Sequence, residues 1–401
     1  MARITKSEKI VRLRKRLFNY YERNEFKAAA RLGEALLRAH VGHYSISTPA
    51  YADDLFNAAM ACAAAGRTSR AIELYTESLH RTFLQNGADL TVAARLGNLA
   101  ALLSANHQHE SACRLFMQAL TIRKQFLPYN HIDLADSLYN MGNALVYARR
   151  LREAIPALNS AIGIYGRGTS RANSDGLVNC MQVLSFVHEK LGEYDEAISF
   201  AEAAWRALAI IDSDEHNRAG YHLAQLYEQI GKPAAACELY LSAMTWIGES
   251  VGYAHSTYIN TATKAASMLA KLGDFVQVKE ILTRIKELIG NMAGKTNLSY
   301  SNCLRNLAVI HRELEEWDEA EAALRESITI KRRIMGGHVR EFAADCMLLL
   351  DICINNDREA HAAEALLSVL EDVREDDPAF LELLDEMVKA VKDDSDSTRS
   401  F

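Results

Sequence analysis

An all-α chain of about nine stacked helix pairs is predicted by three observations. The 401 residues include only five prolines, far below the ~5% of average proteins, which argues against turn-rich β architectures and Pro-rich disorder alike. Of the residues, 49% are hydrophobic but only 8% aromatic, so Ala and Leu, both strong helix formers, carry the apolar share. Third, an Ala-anchored pattern recurs at Ala29, Ala71, Ala112, Ala154, Ala197, Ala236, Val278, Ala320 and Ala362, with spacings of 42, 41, 42, 43, 39, 42, 42 and 42. Self-similarity at such a period marks a repeat array, in which each unit buries its apolar face only by stacking on its neighbours.

Taken along the chain, residues 1–45 read as a first, basic helix pair. Lys6, Lys9, Arg12, Arg14, Lys15 and Arg16 are interleaved there with Ile10, Val11, Leu13, Leu17 and Phe18. The expected arrangement is apolar side inward and basic side in water, with contact to an acidic partner or to nucleic acid as the sharper alternative. Residues 46–376 read as one continuous array. Four residues after each anchor stand Tyr75, Phe116, Leu158, Ala201, Tyr240, Leu282 and Leu324, and eight after it Leu79, Leu120, Ile162, Trp205, Met244, Lys286 and Ile328. Steps of four keep these on one helical face. Twelve residues before the anchor is a small residue (Ala59, Ala100, Gly142, Ser185, Ala224, Ala266, Ala308), where two helices can approach closely. Gly66, Gly192, Gly231 and Gly273 suit left-handed helix ends. The polar connections Gly87–Asp89, Pro128–Asp133, Gly166–Asp175, Asp212–Glu215 and Gly290–Asn297 are too short for domain linkers. Asp377 and Pro378 supply an N-cap and a first-turn proline for a capping helix over 377–392. Residues 393–401 read as an acidic, disordered tail.

The stretches ARLGNLAALL from Ala94, DSLYNMGNAL from Asp136 and NCLRNLAVIH from Asn302, followed by ALTIRKQFL or SITIKRRIM, carry a family resemblance. The chain resembles the tetratricopeptide repeat, in its 42-residue form found in kinesin light chains. That resemblance implies a right-handed α-α superhelix whose first helices line a concave groove. It also implies peptide contacts at positions −18, −15, −14 and −11 from the anchor. Position −14 holds Asn57, Asn98, Asn140, Val183, His222, Lys264, Asn306 and Leu348. Asn is a poor helix former, so its recurrence wants a reason, and an amide can both donate to and accept from a peptide backbone. The alternative is an Asn that ties neighbouring helices together. Position −18 holds Asp53, Asp136, Asn179, Arg218, Asn260 and Asn302; position −15 adds Tyr139, Tyr221 and Arg305, and position −11 Asn143 and Gln225. The groove thus runs from carboxylates, amides and aromatics to Arg218, Lys264 and Arg305, and an extended partner segment with acidic character is expected.

Several other chemistries fit poorly. A net charge of −7 disfavours nucleic acid and anionic membranes, and no apolar run reaches the ~18 residues of a membrane span. Seven scattered cysteines without a CxxC pair read as reduced core thiols of a cytoplasmic protein. Gly290-Asn-Met-Ala-Gly-Lys295-Thr296 has three residues between its glycines where a phosphate loop needs four, and reads as an inter-repeat loop. His107 with His109, and His40 with His43, lack further ligands at metal spacing and read as solvated turn residues. Cys346 and Cys353 share a helical face about 10 Å apart, too far to bridge. No nucleophile–base arrangement stands out. The expectation is a non-catalytic scaffold or adaptor without cofactor or metal that binds a peptide segment of a partner protein. The alternatives are a peptide-sensing receptor or a regulatory subunit docked on an enzyme.

Overall fold

Each repeat whose turn lies among the described residues turns at the residue five before its anchor, where the backbone is left-handed. Asn24, Gly66, His107, Arg149, Gly192, Gly231, Gly273 and Glu315 have φ of 59, 75, 61, 61, 77, 70, 80 and 59°. The left-handed turn lets the chain reverse sharply, so that the second helix packs back on the first. A computed structural model describes residues 6–40, 48–211, 213–335 and 342–355.

The described residues are helical throughout, with short turns and no strand. In chain order the helices are α1 (Lys6–Glu22), α2 (Phe26–His40), α3 (Pro49–Ala64), α4 (Thr68–Asn86), α5 (Leu90–Ala105) and α6 (His109–Phe126). Then come α7 (Ile132–Tyr147), α8 (Leu151–Tyr165), α9 (Arg171–Leu191), α10 (Tyr194–Ile211), α11 (Ser213–Gln229) and α12 (Pro233–Ser250). The described series ends with α13 (Ser256–Lys271), α14 (Phe275–Ala293), α15 (Leu298–Glu313), α16 (Trp317–Met335) and α17 (Ala343–Asn355). The chain divides into two compact units, Met1–Ile211 and Asp212–Phe401. In the first, α1 to α10 form successive antiparallel pairs, each packed on the next. In the second, α11 to α16 do the same and α17 packs on α16. The expected second helix of the ninth pair, the capping helix 377–392 and the tail 393–401 lie outside the described residues.

The repeat columns form the core of each unit. The anchors Ala29, Ala71, Ala112, Ala154, Ala197, Ala236, Val278 and Ala320 are all buried, as are Tyr75, Phe116, Leu158, Ala201, Tyr240, Leu282 and Leu324 four residues on. Burying each large side chain of that second column contributes about 1.5–3 kcal/mol. The small residue twelve before the anchor is equally buried, and it has to be small. A Cβ on Gly142 would lie 2.7 Å from Leu158 Cδ2. Helix starts use local caps: Asp89 Oδ1 accepts from Val92 N at 2.8 Å and Asn297 Oδ1 from Tyr300 N at 2.9 Å. Each satisfies one of the amides that a helix N-terminus leaves without a partner.

Several local expectations need correction: α9 starts at Arg171, inside the connection placed at Gly166–Asp175, and His109 is a half-buried residue of α6 and not a solvated turn residue. The Gly290 segment is not a loop throughout, because α14 runs on to Ala293 and the left-handed break falls at Gly294, φ 78°. The connection placed at Asp212–Glu215 is shorter, since α11 starts at Ser213. His40 is no solvated turn residue: it is buried at the end of α2, with Nε2 2.8 Å from Asp54 Oδ2. Arg14 clasps the same carboxylate through Nε at 2.6 Å and Nη2 at 2.7 Å. A buried carboxylate needs such partners, and here they join the first repeat to the second. The basic character of α1 is therefore partly structural.

Candidate functional site

In the first unit, α5, α6 and α7 enclose a cleft of about 310 Å³. The positions −18, −15, −14 and −11 of α5, namely Ala94, Gly97, Asn98 and Ala101, form one wall. Asp133, Asp136, Ser137 and Asn140 of α7 form the other, over a floor of Phe116, Ala119 and Arg123 from α6. Small residues on α5 keep the cleft open. Arg123 is fixed by hydrogen bonds to the Ser137 hydroxyl and, at 3.4 Å, to the Asp133 carbonyl. Asp136 accepts from the Tyr165 hydroxyl, and burial followed by this carboxylate raises the Tyr165 phenol.

The amides here are not ties between helices. Asn98 is exposed and its Nδ2 donates to the Ala94 carbonyl of its own helix at 2.9 Å. Asn140 is exposed and Asn57, on α3, half-buried; neither has a hydrogen-bond partner among the described residues. Tyr139 and Asn143 are half-buried on α7 and hydrogen-bond one another; burial raises the Tyr139 phenol and Asn143 partly offsets this. Asn179 is half-buried on α9. The structure thus brings Asn98 and Asn140 together in one cleft with Asp136, while Asn57, Tyr139, Asn143 and Asn179 lie outside its lining.

The second unit uses the same positions differently. Arg218, Tyr221, His222 and Gln225 are on α11, Asn260 and Lys264 on α13, and Asn302, Arg305 and Asn306 on α15. Its three cations all have carboxylate partners. Lys264 Nζ lies 2.9 and 3.1 Å from the two oxygens of Glu228 on α11, and Arg305 Nε 2.9 Å from Asp345 Oδ1 on α17. Arg218 lies 3.5 Å from Glu215 on its own helix. Burial alone would raise Glu228, but hydrogen bonds from Lys264 and Tyr240, with the Lys264 and Lys271 charges, hold it below the usual carboxylate value. Asp345 is buried and also accepts from Lys331 at 2.7 Å and Ser327 at 2.8 Å. The exposed Asn260, Asn302 and Asn306 have no hydrogen-bond partner among the described residues.

With this repeat geometry established, the relation to known proteins can be stated. Tetratricopeptide-repeat family profiles match residues 19–84, 91–167 and 257–333, together more than half of the chain. The chain belongs to the tetratricopeptide repeat family. Curated protein sequences give no match. Among solved structures, the apo form of RapI is 11% identical with a TM-score of 0.52, over 90% of this chain and 99% of its own. Aspartyl phosphate phosphatase F from Bacillus subtilis is 13% identical with a TM-score of 0.44, over 92% and 95%. A structure from Podosopora anserina with nearly identical repeats, assigned to the kinesin light chains, is 17% identical with a TM-score of 0.42, over 49% and 95%. At these identities the likeness concerns the fold.

Two features of this repeat protein escaped the sequence reading. One is the joint formed by the residue seventeen before an anchor and the residue eleven after the preceding one. His40–Asp54, Arg123–Ser137 and Lys331–Asp345 are all such pairs. Each joint uses a different pair of polar residues, so neither column carries a repeated signature in the sequence. The other is a second, apolar cleft on α4 and α6. Burial pushes the Cys180, Cys303 and Cys346 thiols up to about 12, 11 and 12, and all seven cysteines are free and buried. Such thiols are inert at neutral pH. Among the described residues no group of His, Cys, Asp and Glu is arranged to hold a metal ion, and no helix is long and apolar enough to cross a membrane.

Proposed function

We propose that the chain is a non-catalytic interaction scaffold that holds an extended peptide segment of a partner protein against its first helices. The α5–α7 cleft is the central contact. The observation that supports this reading is the pair Asn98 and Asn140 on facing walls, with Asn140 unpartnered among the described residues and Asn98 bonded only within its own helix. Helix positions spent on Asn without a structural bond lower helix propensity for no internal gain, whereas two amides at one cleft can grip a peptide backbone irrespective of its side chains. Within the second unit, Asn260, Asn302 and Asn306 offer amides of the same kind, and Tyr221, His222 and Gln225 stand at groove positions of α11. The acidic preference is narrower than the bare sum of Arg218, Lys264 and Arg305 suggests, because their charges already face Glu215, Glu228 and Asp345.

The test is a peptide-array selection on the full chain, followed by titration of the best ligand. Asn98→Ala and Asn140→Ala should each weaken binding by about 1 kcal/mol per lost hydrogen bond, roughly fivefold. Their melting temperatures should not move. Unchanged affinity in the double variant would remove the cleft from the binding surface.

A further inference from the structure

The same stretch of the first unit carries a second cleft, of about 800 Å³, on different faces of its helices. Leu79 and Phe83 of α4 form one wall, Met117 and Ile122 of α6 the other, and Val92 and Leu96 of α5 the floor. Leu96 of α5, and Met117 and Ile122 of α6, lie between residues that line the amide cleft, so the two sites share two helices and no lining residue. Phe83 is 51% exposed and Met117 47%. Large apolar groups gathered in one open cleft mark an interaction site more often than scattered ones do.

The repeat itself does not require this chemistry. Thr76, Leu79 and His80 stand five, eight and nine residues after their anchor, and the residues in those places on α14 are Thr283, Lys286 and Glu287. These line a charged cleft with Lys279, Arg284 and Glu316. Packing is therefore satisfied with either lining, and the cleft on α4 and α6 has the apolar one.

The charges around the cleft identify what it fits. Its titratable lining groups are His80 and Arg114, with no carboxylate among them. Nearby carboxylates on α4 and α6 are turned to other arginines: Glu73 to Arg70, Glu77 to Arg81 and Glu110 to Arg150. Arg114 is exposed and donates to the Ser111 hydroxyl, so its charge faces no carboxylate. The wall from Thr76 to Phe83 covers two helical turns, about 10 Å. That length suits a partner helix presenting apolar anchors at i, i+4 and i+7.

We propose that the α4–α6 cleft docks an amphipathic helix of a partner protein, apolar on the buried face and acidic along its flank, independently of the extended-peptide site. Hydrophobic burial supplies the affinity, and Arg114 with His80 selects the acidic flank.

The probe is a displayed library of 16-residue helix-forming peptides with Leu, Met or Phe at i, i+4 and i+7 and flanks randomised among Glu, Gln and Lys. It is selected on the full chain, and the best clone is titrated by fluorescence anisotropy. Glu should dominate the flanks. Met117→Glu should weaken the selected peptide by about tenfold or more, as expected for an anchor contact, while Arg114→Gln should abolish the advantage of Glu over Gln. Both residues are solvent-exposed, so unchanged melting temperatures should confirm folded variants. The Asn98→Ala, Asn140→Ala variant should bind the peptide as tightly as the parent, which separates failure of this site from failure of the amide cleft. Selection of Lys-flanked peptides, no enrichment at all, or equal binding to Met117→Glu overturns the proposal. So does a dimer in sedimentation that Met117→Glu dissociates, because a second copy would then be the occupant.

Discussion

The two units place the same repeat positions on the same backbone and spend several of them differently. In the first, position −14 carries amides that do not bond to other helices: Asn98 donates only within α5 and Asn140 has no partner among the described residues. In the second, the corresponding Lys264 reaches back to Glu228, and Arg305 beside position −14 reaches forward to Asp345. The second helices differ in the same way. Leu79, Phe83 and Met117 line an apolar cleft in one unit, while Lys279, Lys286, Glu287 and Glu316 line a charged one in the other. A repeat dictates where a side chain points and how much room it has. It leaves open whether that side chain is spent on stability or kept for a ligand, and partner bonds within the chain distinguish the two.

The largest effect that could break this comparison is at Asp345. Its carboxylate is 1% exposed and is shared by Arg305, Lys331 and Ser327. Asp345→Ala strands Lys331, itself 6% exposed, and should cost about 3–5 kcal/mol in urea unfolding. The first-unit change Asn140→Ala, at an amide without a partner among the described residues, should stay within about 0.5 kcal/mol. If Asp345→Ala cost less than Asn140→Ala, Arg305 would be a ligand residue and the division between the units would fail.

How much of this was legible in the sequence depends on whether a column repeats its chemistry. The anchor and the residue four beyond it repeat one requirement, a small or apolar side chain of suitable volume, so helix pairs, turns and core could be read directly. Ala197 at 0% exposure and Leu324 at 0% are instances. The left-handed turn was legible at Gly66 and Gly192 but not at Arg149 and Glu315, where a non-glycine residue takes the same φ. The inter-repeat joints were invisible because each uses a different pair, His40–Asp54 at one and Lys331–Asp345 at another. A column of unlike residues has no signature until the structure shows they touch. The candidate groove was half legible. Family positions located Asn98 and Asn140, but the sequence could not show that Lys264 and Arg305 already have partners. Phe83 lies on the face that the four-residue steps assign to the core, and the structure leaves it and Met117 about half exposed.

The turns offer a smaller test, of what the units share. A left-handed conformation costs a side-chain-bearing residue about 1–2 kcal/mol relative to glycine, part of which glycine gives back through its freer unfolded chain. Arg149→Gly in the first unit and Glu315→Gly in the second should therefore each stabilise by about 0.5–1 kcal/mol. Equal gains would show that the backbone requirement is common to both units. A gain at Arg149 alone would mean that Glu315 has a compensating role at its turn.

The smallest expected difference is electrostatic and depends on pH. Glu228 sits eight residues before its anchor, where the five repeats of the first unit have Tyr21, Ala63, Ser104, Val146 and Glu189. Its pKa is lower in the folded chain than the ordinary value of 4.5, because Lys264 and Tyr240 outweigh burial. A carboxylate shifted in that direction stabilises fully above its unfolded value and loses the contribution as pH falls through the folded one. Lys264 is 41% exposed, so solvent screening limits the pair to about 0–1 kcal/mol. Glu228→Gln should lower stability slightly at pH 7, and the gap to the parent chain should close as the pH is lowered below about 4.5. The signal should appear in probes of the second unit, such as Trp246 fluorescence, since Asn98 and Asn140 in the first unit have no charge to titrate. A gap that stayed constant down to acid pH would mean that Glu228 acts through packing, and that Lys264 is less committed to it than the 2.9 Å contact suggests. Lys264 would then be a cation available to an acidic partner, and at the groove positions the contrast between the two units would rest mainly on Arg305.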